Sequence, residues 1–260
     1  GARAGVRYLV RPDFHNISAR TVADAMGQAF FSLSLGVGTI LTYSSYMKKD
    51  ADILSSGAGT AAFDMIFAII AGFAVMPAVF AAGIEPGAGP GLIFESLPFI
   101  FVKMGIDAPV LSRIVSVLFF LTIAIAALTS SISMFEVGTA YLVEEKGFSR
   151  RKAVAVIFAG TWTLGALCSL SFGPFAGVRI LGHTIFGFCD VLTSNVLMTF
   201  GALLFVLFVG WKMDKSDVMD EFTDGGRARI GARMFGTVYF LIRYIAPLAI
   251  LAIFATSNIQ

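Results

Sequence analysis

The stretch 31–38 places two serine hydroxyls and two glycines in the middle of an otherwise apolar segment. Apolar sequence flanks it on both sides, at 26–31 and 40–47. A helix that is interrupted at bilayer depth is tolerated only where its freed backbone groups are buried in protein or face a cavity. Many secondary transporters build substrate and ion sites near the bilayer midplane in this way. The pattern therefore predicts a broken helix and a binding site around Ser32 and Ser34.

A carboxylate, Asp64, lies in the next apolar segment, between Phe63 and Met65. Inserting such a group into hydrocarbon costs about 2.5–3.5 kcal/mol. The side chain must therefore face the protein interior and needs a partner. A bound cation is the sharper hypothesis, and a neutral or hydrogen-bonded Asp is the alternative.

A polar seam marks the third apolar segment, where Ala126, Thr129, Ser130 and Ser133 fall on one helical face. Glu136 comes seven residues after Thr129. Serine and threonine in such helices often bond the preceding turn or join two helices. Because an acidic residue continues the seam, it also suits a small hard cation, which prefers oxygen ligands.

Four other residues carry weaker signals. Asp190 stands near one end of the fifth apolar segment, and Arg243 in the sixth is explained by a structural ion pair or a snorkelling side chain. Cys168 and Cys189 are interpreted as small buried thiols. The sequence has no nucleotide-binding loop, zinc-ligand spacing or nucleophile triad, so an enzyme is not expected.

The composition indicates a polytopic membrane protein. The 260 residues are 57% hydrophobic and 14% charged, with a mean hydropathy of +0.84, whereas a soluble domain usually carries about 25% charge. No basic stripe with interleaved aromatic residues suggests nucleic-acid binding. About 20 apolar residues suffice to cross a bilayer, and six such segments are predicted at 25–47, 58–82, 110–143, 150–171, 184–211 and 233–256.

The remaining segments are predicted to be loops. Residues 1–24 are expected to form an extracellular loop, 85–108 a structured extracellular loop with one or two short helices, 213–231 a cytoplasmic loop, and 257–260 a C-terminal tail. Lys and Arg concentrate in one set of loops. That set holds Lys48, Lys49, Lys146, Arg150, Arg151, Lys152, Lys212, Lys215, Arg227, Arg229 and Arg233, and the opposite set holds Lys103, Arg113 and Arg179. The first set should be cytoplasmic.

In combination, these segments resemble the neurotransmitter:sodium symporter family. The resemblance rests on Gly27-Gln28-Ala29-Phe30-Phe31-Ser32-Leu33-Ser34-Leu35-Gly36, Thr42-Tyr43-Ser44-Ser45-Tyr46, Gly89-Pro90-Gly91-Leu92-Ile93-Phe94, Ala126-Ala127-Leu128-Thr129-Ser130-Ser131-Ile132, Leu192-Thr193-Ser194-Asn195 and Arg243-Tyr244-Ile245-Ala246-Pro247. It implies an all-α polytopic membrane protein covering helices six to eleven. That is the second inverted repeat of the leucine-transporter fold plus one further helix.

The resemblance also implies the roles of individual residues. One sodium site should use Ser32 and Asp64, and a second should use Ala126, Thr129 and Ser130. The substrate pocket should be lined by Phe31, Ser32, Ser34, Val37, Ser130 and Met134. Gln28 and Asp190 resemble an external gate, and Tyr46 and Glu144 an internal gate, with Glu144 in place of the Asp that is commonest there.

The implied function is sodium-coupled amino-acid symport by alternating access in a bacterial inner (plasma) membrane. Helices one to five should lie in a missing N-terminal half that completes both sodium sites, so this chain is expected to be inactive alone. Chloride should not be required, because Asp64 and Ala68 stand where chloride-dependent relatives carry Asn and Ser. Val37 and Met134 favour an apolar or aromatic amino acid. The alternatives are another sodium:solute or amino-acid/polyamine transporter of the same fold, or a non-transporting membrane module.

Overall fold

The described residues of the computed structural model, 1–11, 14–48, 51–84, 92–223 and 232–257, fold into helices joined by turns. The helices are α1 (Ala2–Val10), α2 (Ala19–Ser32), α3 (Thr39–Ser45), α4 (Ile53–Ala82), α5 (Leu97–Asp107), α6 (Pro109–Glu144), α7 (Arg150–Leu170), α8 (Ile185–Lys212), α9 (Lys215–Thr223) and α10 (232–257). Short helical turns lie at Phe14–Asn16 and Leu92–Ser96. An isolated bridge joins Ile180 to His183.

Among the described residues, five helices are long and apolar enough to cross a membrane: α4, α6, α7, α8 and the Met234–Ala255 part of α10. The first predicted segment, 25–47, is broken at its centre, as the sequence predicts: α2 ends at Ser32 and α3 begins at Thr39. The protein is thus an integral membrane protein with several transmembrane helices.

The start of the chain differs from the loop expected at 1–24. Residues Ala2–Val10 form α1, and α2 begins at Ala19. Ser18 caps α2 by accepting a hydrogen bond from the Thr21 backbone N–H at 3.2 Å, and the Thr21 hydroxyl accepts one from the Ser18 N–H at 3.3 Å. This reciprocal capping box stabilises a helix start that hydropathy alone does not reveal.

Three other predicted loops are described in part. In the 85–108 segment, residues 85–91 lie outside the described residues, and Leu92–Asp107 is mostly helical. In the 213–231 segment, Lys215–Thr223 forms α9, and 224–231 lie outside the described residues. In the 257–260 tail, α10 runs to Ser257, and 258–260 lie outside the described residues.

The chain divides into two compact units, of which the first holds residues 1–17 and 60–131. Its core contains Val79, Leu97 and Ile100, all almost fully buried. α1 lies against the end of α4 with little space between them. A Cβ on Gly5 would come within 2.6 Å of the Met76 carbonyl oxygen, so a glycine allows this close approach.

The second unit holds residues 18–59 and 132–260. α10 packs on both α2 and α8. A cluster of Val218, Phe235 and Tyr239 is buried where α9 meets the start of α10. The broken segment α2–α3 belongs to this unit, so the packing of α8 and α10 determines where the break lies.

Candidate functional site

The break between α2 and α3 is a tight, left-handed stretch of backbone. The Leu33 N–H donates to the Ala29 carbonyl, four residues earlier, at 3.1 Å, as in an α-helix. The Leu35 N–H donates to the Phe30 carbonyl, five residues earlier, at 2.9 Å. The φ angles of Ser34, Gly36 and Gly38 are +51°, +86° and +92°. Glycine adopts such angles without steric cost, which other residues rarely do. The two glycines therefore allow the helix to stop and restart.

The break lies directly against α8. A Cβ at Gly36 would overlap the Met198 carbonyl oxygen, and a Cβ at Gly201 would overlap the Gly36 carbonyl oxygen. Two glycines on different elements thus face each other with no room for a side chain. The contact of Gly201 with the break was not predicted, since a single Gly in an apolar helix carries little signal.

On another side, α3 runs along the end of the α6 seam. The Tyr43 hydroxyl hydrogen-bonds the Ser133 hydroxyl. A Cβ on Gly38 would lie 3.3 Å from Val137 Cγ1. The seam residue Ser133 is therefore used to hold α3 against α6, as interhelical hydroxyls often are.

Four of the residues expected to bind substrate, Phe31, Ser32, Ser34 and Val37, lie in this break or next to it in the chain. Phe31 is 57% exposed and Met134 53% exposed, while Ser34 and Val37 are half-buried. Ser34 also lines a cavity of about 460 Å³ between the break, α8 and α10, whose other walls are almost entirely apolar. Ser130 belongs to the first unit, so its place in the pocket stays a prediction.

The predicted sodium ligands of the second site are neighbours on one turn of α6. The Thr129 hydroxyl donates to the Ala126 carbonyl at 2.9 Å. This is the backbone bond expected of a helical threonine, and it also places two oxygens side by side, which fits the preference of hard cations. Ser32 and Asp64 of the first site belong to different units, so that site stays a prediction.

The predicted external gate residues lie beside a small polar cavity. Gln28 lines a cavity of about 240 Å³ together with Ser194, Asn195 and Phe31. The Ser194 hydroxyl donates to the Asp190 carboxylate at 3.2 Å. A π-helical turn, Val191–Leu197, follows Asp190. Such turns often mark functional sites, and hydropathy does not predict them.

The predicted internal gate residue Tyr46 hydrogen-bonds Glu136, an acid outside the predicted gate pair. Its hydroxyl donates to Glu136 at 2.9 Å, and Arg150 donates to both oxygens of the same carboxylate at 3.1 and 2.7 Å. Glu144 is exposed at the last residue of α6. Glu136 therefore joins α3, α6 and α7. Glu136 was predicted on the seam, but its pairing with Arg150 was not, because no sequence spacing links the two.

Arg243 packs against aromatic rings, and among the described residues the ion pair proposed for it is not found. Its guanidinium lies over the Trp211 ring, 4.7 Å from the centroid, and over Tyr244 at 5.6 Å. The Trp211 indole N–H donates to the Arg243 carbonyl at 3.0 Å. A cation–π contact thus stabilises this cation between α8 and α10.

All 260 residues match the family model described as the sodium:neurotransmitter symporter family. The chain belongs to this family. It is 37% identical over 261 residues to an uncharacterized sodium-dependent transporter, YhdH, of Bacillus subtilis, with 98% of this chain and 55% of the relative covered. It is 32% identical over 262 residues to an uncharacterized sodium-dependent transporter of Haemophilus influenzae, with 99% and 54% covered. Members of this family are transporters rather than enzymes.

One solved structure of a family member is also similar. The crystal structure of MhsT in complex with L-phenylalanine matches with a TM-score of 0.85 and 37% identity, covering 99% of this chain and 57% of that chain. The chain thus spans about half the length of the curated relatives and of the structure it matches.

Proposed function

We propose that this chain is the C-terminal half of a bacterial sodium-coupled amino-acid symporter. It would form six transmembrane segments, the second inverted repeat of the leucine-transporter fold plus one helix, with α2 and α3 as the broken first segment. The observation that carries the proposal is the left-handed break at 33–38, wedged against Gly201 of α8. Broken helices at this depth are the usual site of substrate and ion binding in such transporters.

Sodium is the co-substrate in this proposal. Ser32 and Asp64 would bind one ion, and Ala126, Thr129 and Ser130 another, both through oxygen atoms. Asp64 would offset the charge of its ion without an added anion. Binding of both ions would order the backbone of the break, which also forms the substrate site. Sodium binding would therefore favour substrate binding.

An apolar or aromatic amino acid is the proposed substrate. Phe31 and Met134 offer large apolar surfaces beside the break, and Val37 leaves more room than an aromatic residue would. The complex of the similar protein MhsT with L-phenylalanine supports the same class. Backbone carbonyls around Phe31 and Ser32 would accept hydrogen bonds from the substrate ammonium.

The two gates would lie on opposite sides of this site. Gln28 and Asp190 would control the outer side, beside the polar cavity at Ser194. Tyr46 would control the inner side through the carboxylate of Glu136, held by Arg150. Release inward requires α3 to separate from α6, so these hydrogen bonds would have to break in each cycle.

The test is sodium-dependent binding of L-phenylalanine and other apolar amino acids to the purified full-length protein. Asp64→Ala and Thr129→Ala should each weaken binding at fixed sodium by about tenfold or more, equivalent to about 1.4 kcal/mol. Thr163→Ala is the matched control, because the Thr163 hydroxyl makes the same type of backbone bond in α7, to Ala159 at 2.8 Å. Binding that is independent of sodium, of Asp64 and of Thr129 would instead favour a non-transporting membrane module.

A further inference from the structure

Two cysteine side chains meet where the end of α7 approaches the start of α8. Cys168 lies in the last turn of α7, and Cys189 lies in the first turns of α8. The two helices pack together, and Cys168 and Cys189 lie three residues from Ser171 and Phe186, which hydrogen-bond each other where the helices meet. This register brings the two cysteines to facing turns, and both are only partly buried. They were predicted to be small buried thiols, and their spacing of 21 residues gives no sign that they meet.

The surrounding turn holds the two helix ends together without any bond between the sulfurs. Ser171, only 2% exposed, donates from its hydroxyl to the Cys168 carbonyl at 2.6 Å and accepts from the Phe186 N–H at 3.4 Å. The rings of Phe172 and Phe186 pack with centroids 5.1 Å apart. The approach of the two thiols is therefore maintained by the fold, as a reversible disulfide requires.

The orientation of the helices places this corner on the outer side of the membrane. α7 begins at Arg150, in the Lys- and Arg-rich loop that should be cytoplasmic, and its 21 residues span about 32 Å at the usual rise per residue. The Cys168 end would therefore reach the opposite face. Disulfides form and persist on that side of a bacterial membrane.

We propose that Cys168 and Cys189 form a reversible redox pair at the outer end of α7 and α8. The oxidant is a small-molecule disulfide, which reacts by thiol–disulfide exchange. One cysteine thiolate attacks it and releases one small thiol, and the second cysteine thiolate then attacks the mixed disulfide and releases the other. Two cysteine thiols are oxidised to one disulfide, and the oxidant is reduced to two thiols, which take up the two protons.

Oxidation would act on the outer gate, since Cys189 directly precedes Asp190. The disulfide would tie the turn that carries Asp190 to α7 and restrict its movement relative to the rest of α8. The placement of the pair outside the cell rests on the orientation in the proposed function. The contact between the thiols does not depend on transport.

The experiment uses the full-length protein in sealed right-side-out membrane vesicles. The vesicles are treated with oxidised glutathione, which does not cross the membrane, and free thiols are then blocked with N-ethylmaleimide before digestion and mass spectrometry. A peptide pair joined through Cys168 and Cys189, and released by a reducing agent, is the expected result. Cys168→Ser and Cys189→Ser are matched controls that should each abolish the joined pair.

Two results would overturn the proposal. If both cysteines carry N-ethylmaleimide after oxidation, the pair does not form. If the joined peptides appear only after the vesicles are made permeable, the thiols react but the corner is not external. Neither result depends on whether sodium-coupled uptake is observed, so failure of the redox pair and failure of the transport proposal are distinguishable.

Discussion

At the residue scale, the contact between Gly36 and Gly201 is the least replaceable feature of the break. Gly201→Ala should lower the free energy of unfolding by about 1–3 kcal/mol, because its methyl group would overlap the Gly36 carbonyl oxygen. Gly36→Ala should destabilise by more than the backbone strain of about 1–2 kcal/mol that a φ of +86° implies, because its Cβ would also overlap the Met198 carbonyl oxygen. Thermal unfolding of the detergent-solubilised protein measures both.

Gly160→Ala is the matched control in α7. In the part of the chain that the structure describes, a Cβ on Gly160 would meet nothing within 4 Å. Alanine there should be neutral or should stabilise the helix by up to about 1 kcal/mol. Equal destabilisation by Gly201→Ala and Gly160→Ala would show that the close contact between the break and α8 is not present.

The carboxylate of Glu136 is a second residue-scale feature with a measurable consequence. Its side chain is 17% exposed and binds Arg150 through two hydrogen bonds. Arg150→Gln should therefore destabilise the protein by about 1–3 kcal/mol, because a charged acceptor loses its strongest partner. Adding Glu136→Gln to this variant should recover part of the loss, which a double-mutant cycle of unfolding free energies would reveal.

The ion pair of Arg20 and Asp24 is the control for that cycle. Its atoms are 3.9 Å apart, and the side chains are 64% and 68% exposed. Exposed pairs at this spacing usually contribute about 0.3–0.5 kcal/mol. A coupling energy for Glu136 and Arg150 no larger than that of the control would contradict a structural role for Glu136 between α3, α6 and α7.

At the element scale, the sequence predicts the long apolar helices and the break between α2 and α3, but not the polar helix α1. Twenty or more apolar residues predict α4, α6, α7, α8 and α10 because a bilayer requires that length. The break at 33–38 was predictable because hydroxyls and glycines interrupt an apolar run. α1 was missed because its arginines make the segment polar, although Gly5 packs closely on α4.

Contacts between distant elements were beyond the sequence. The pairing of Glu136 with Arg150, of Gly36 with Gly201 and of Cys168 with Cys189 depends on how helices pack, and no local pattern encodes it. The π-helical turn after Asp190 likewise leaves apolar periodicity almost unchanged. The family resemblance implies a sodium site whose ligands, Ser32 and Asp64, belong to different units. That site stays a prediction.

The orientation of α6 gives an element-scale prediction. This helix has 36 residues and a length of about 54 Å, which exceeds a hydrocarbon core of about 30 Å. Its two ends should therefore lie on opposite sides of the membrane. In a Cys168→Ser, Cys189→Ser background, Asp107→Cys should react with a membrane-impermeant maleimide in intact cells, and Lys146→Cys should react only after permeabilisation.

Both labelling positions are exposed in the structure, so burial would not explain a difference between them. The reverse labelling pattern would invert the orientation derived from Lys and Arg. In that case the Glu136–Arg150 contact would lie on the outer side and could not serve as the inner gate.

At the scale of the whole molecule, the balance of charge decides whether transport needs an anion. Two sodium ions bring two positive charges into a low-dielectric interior, where uncompensated charge is costly. In the proposed function, Asp64 supplies one fixed negative charge near the first ion. Uptake by the full-length protein should therefore be unchanged when chloride is replaced by gluconate at constant sodium, as measured by radiolabelled amino-acid flux into proteoliposomes.

Asp64→Asn tests whether this carboxylate is the reason. It keeps the size and hydrogen-bonding capacity of the side chain but removes the charge, and it should weaken sodium binding more than substrate binding at saturating sodium. Ala61→Ser is the matched control, three residues away on α4 and without a change in charge. A loss of wild-type uptake in gluconate would refute charge compensation by Asp64, because an external anion would then be performing the neutralisation assigned to this residue.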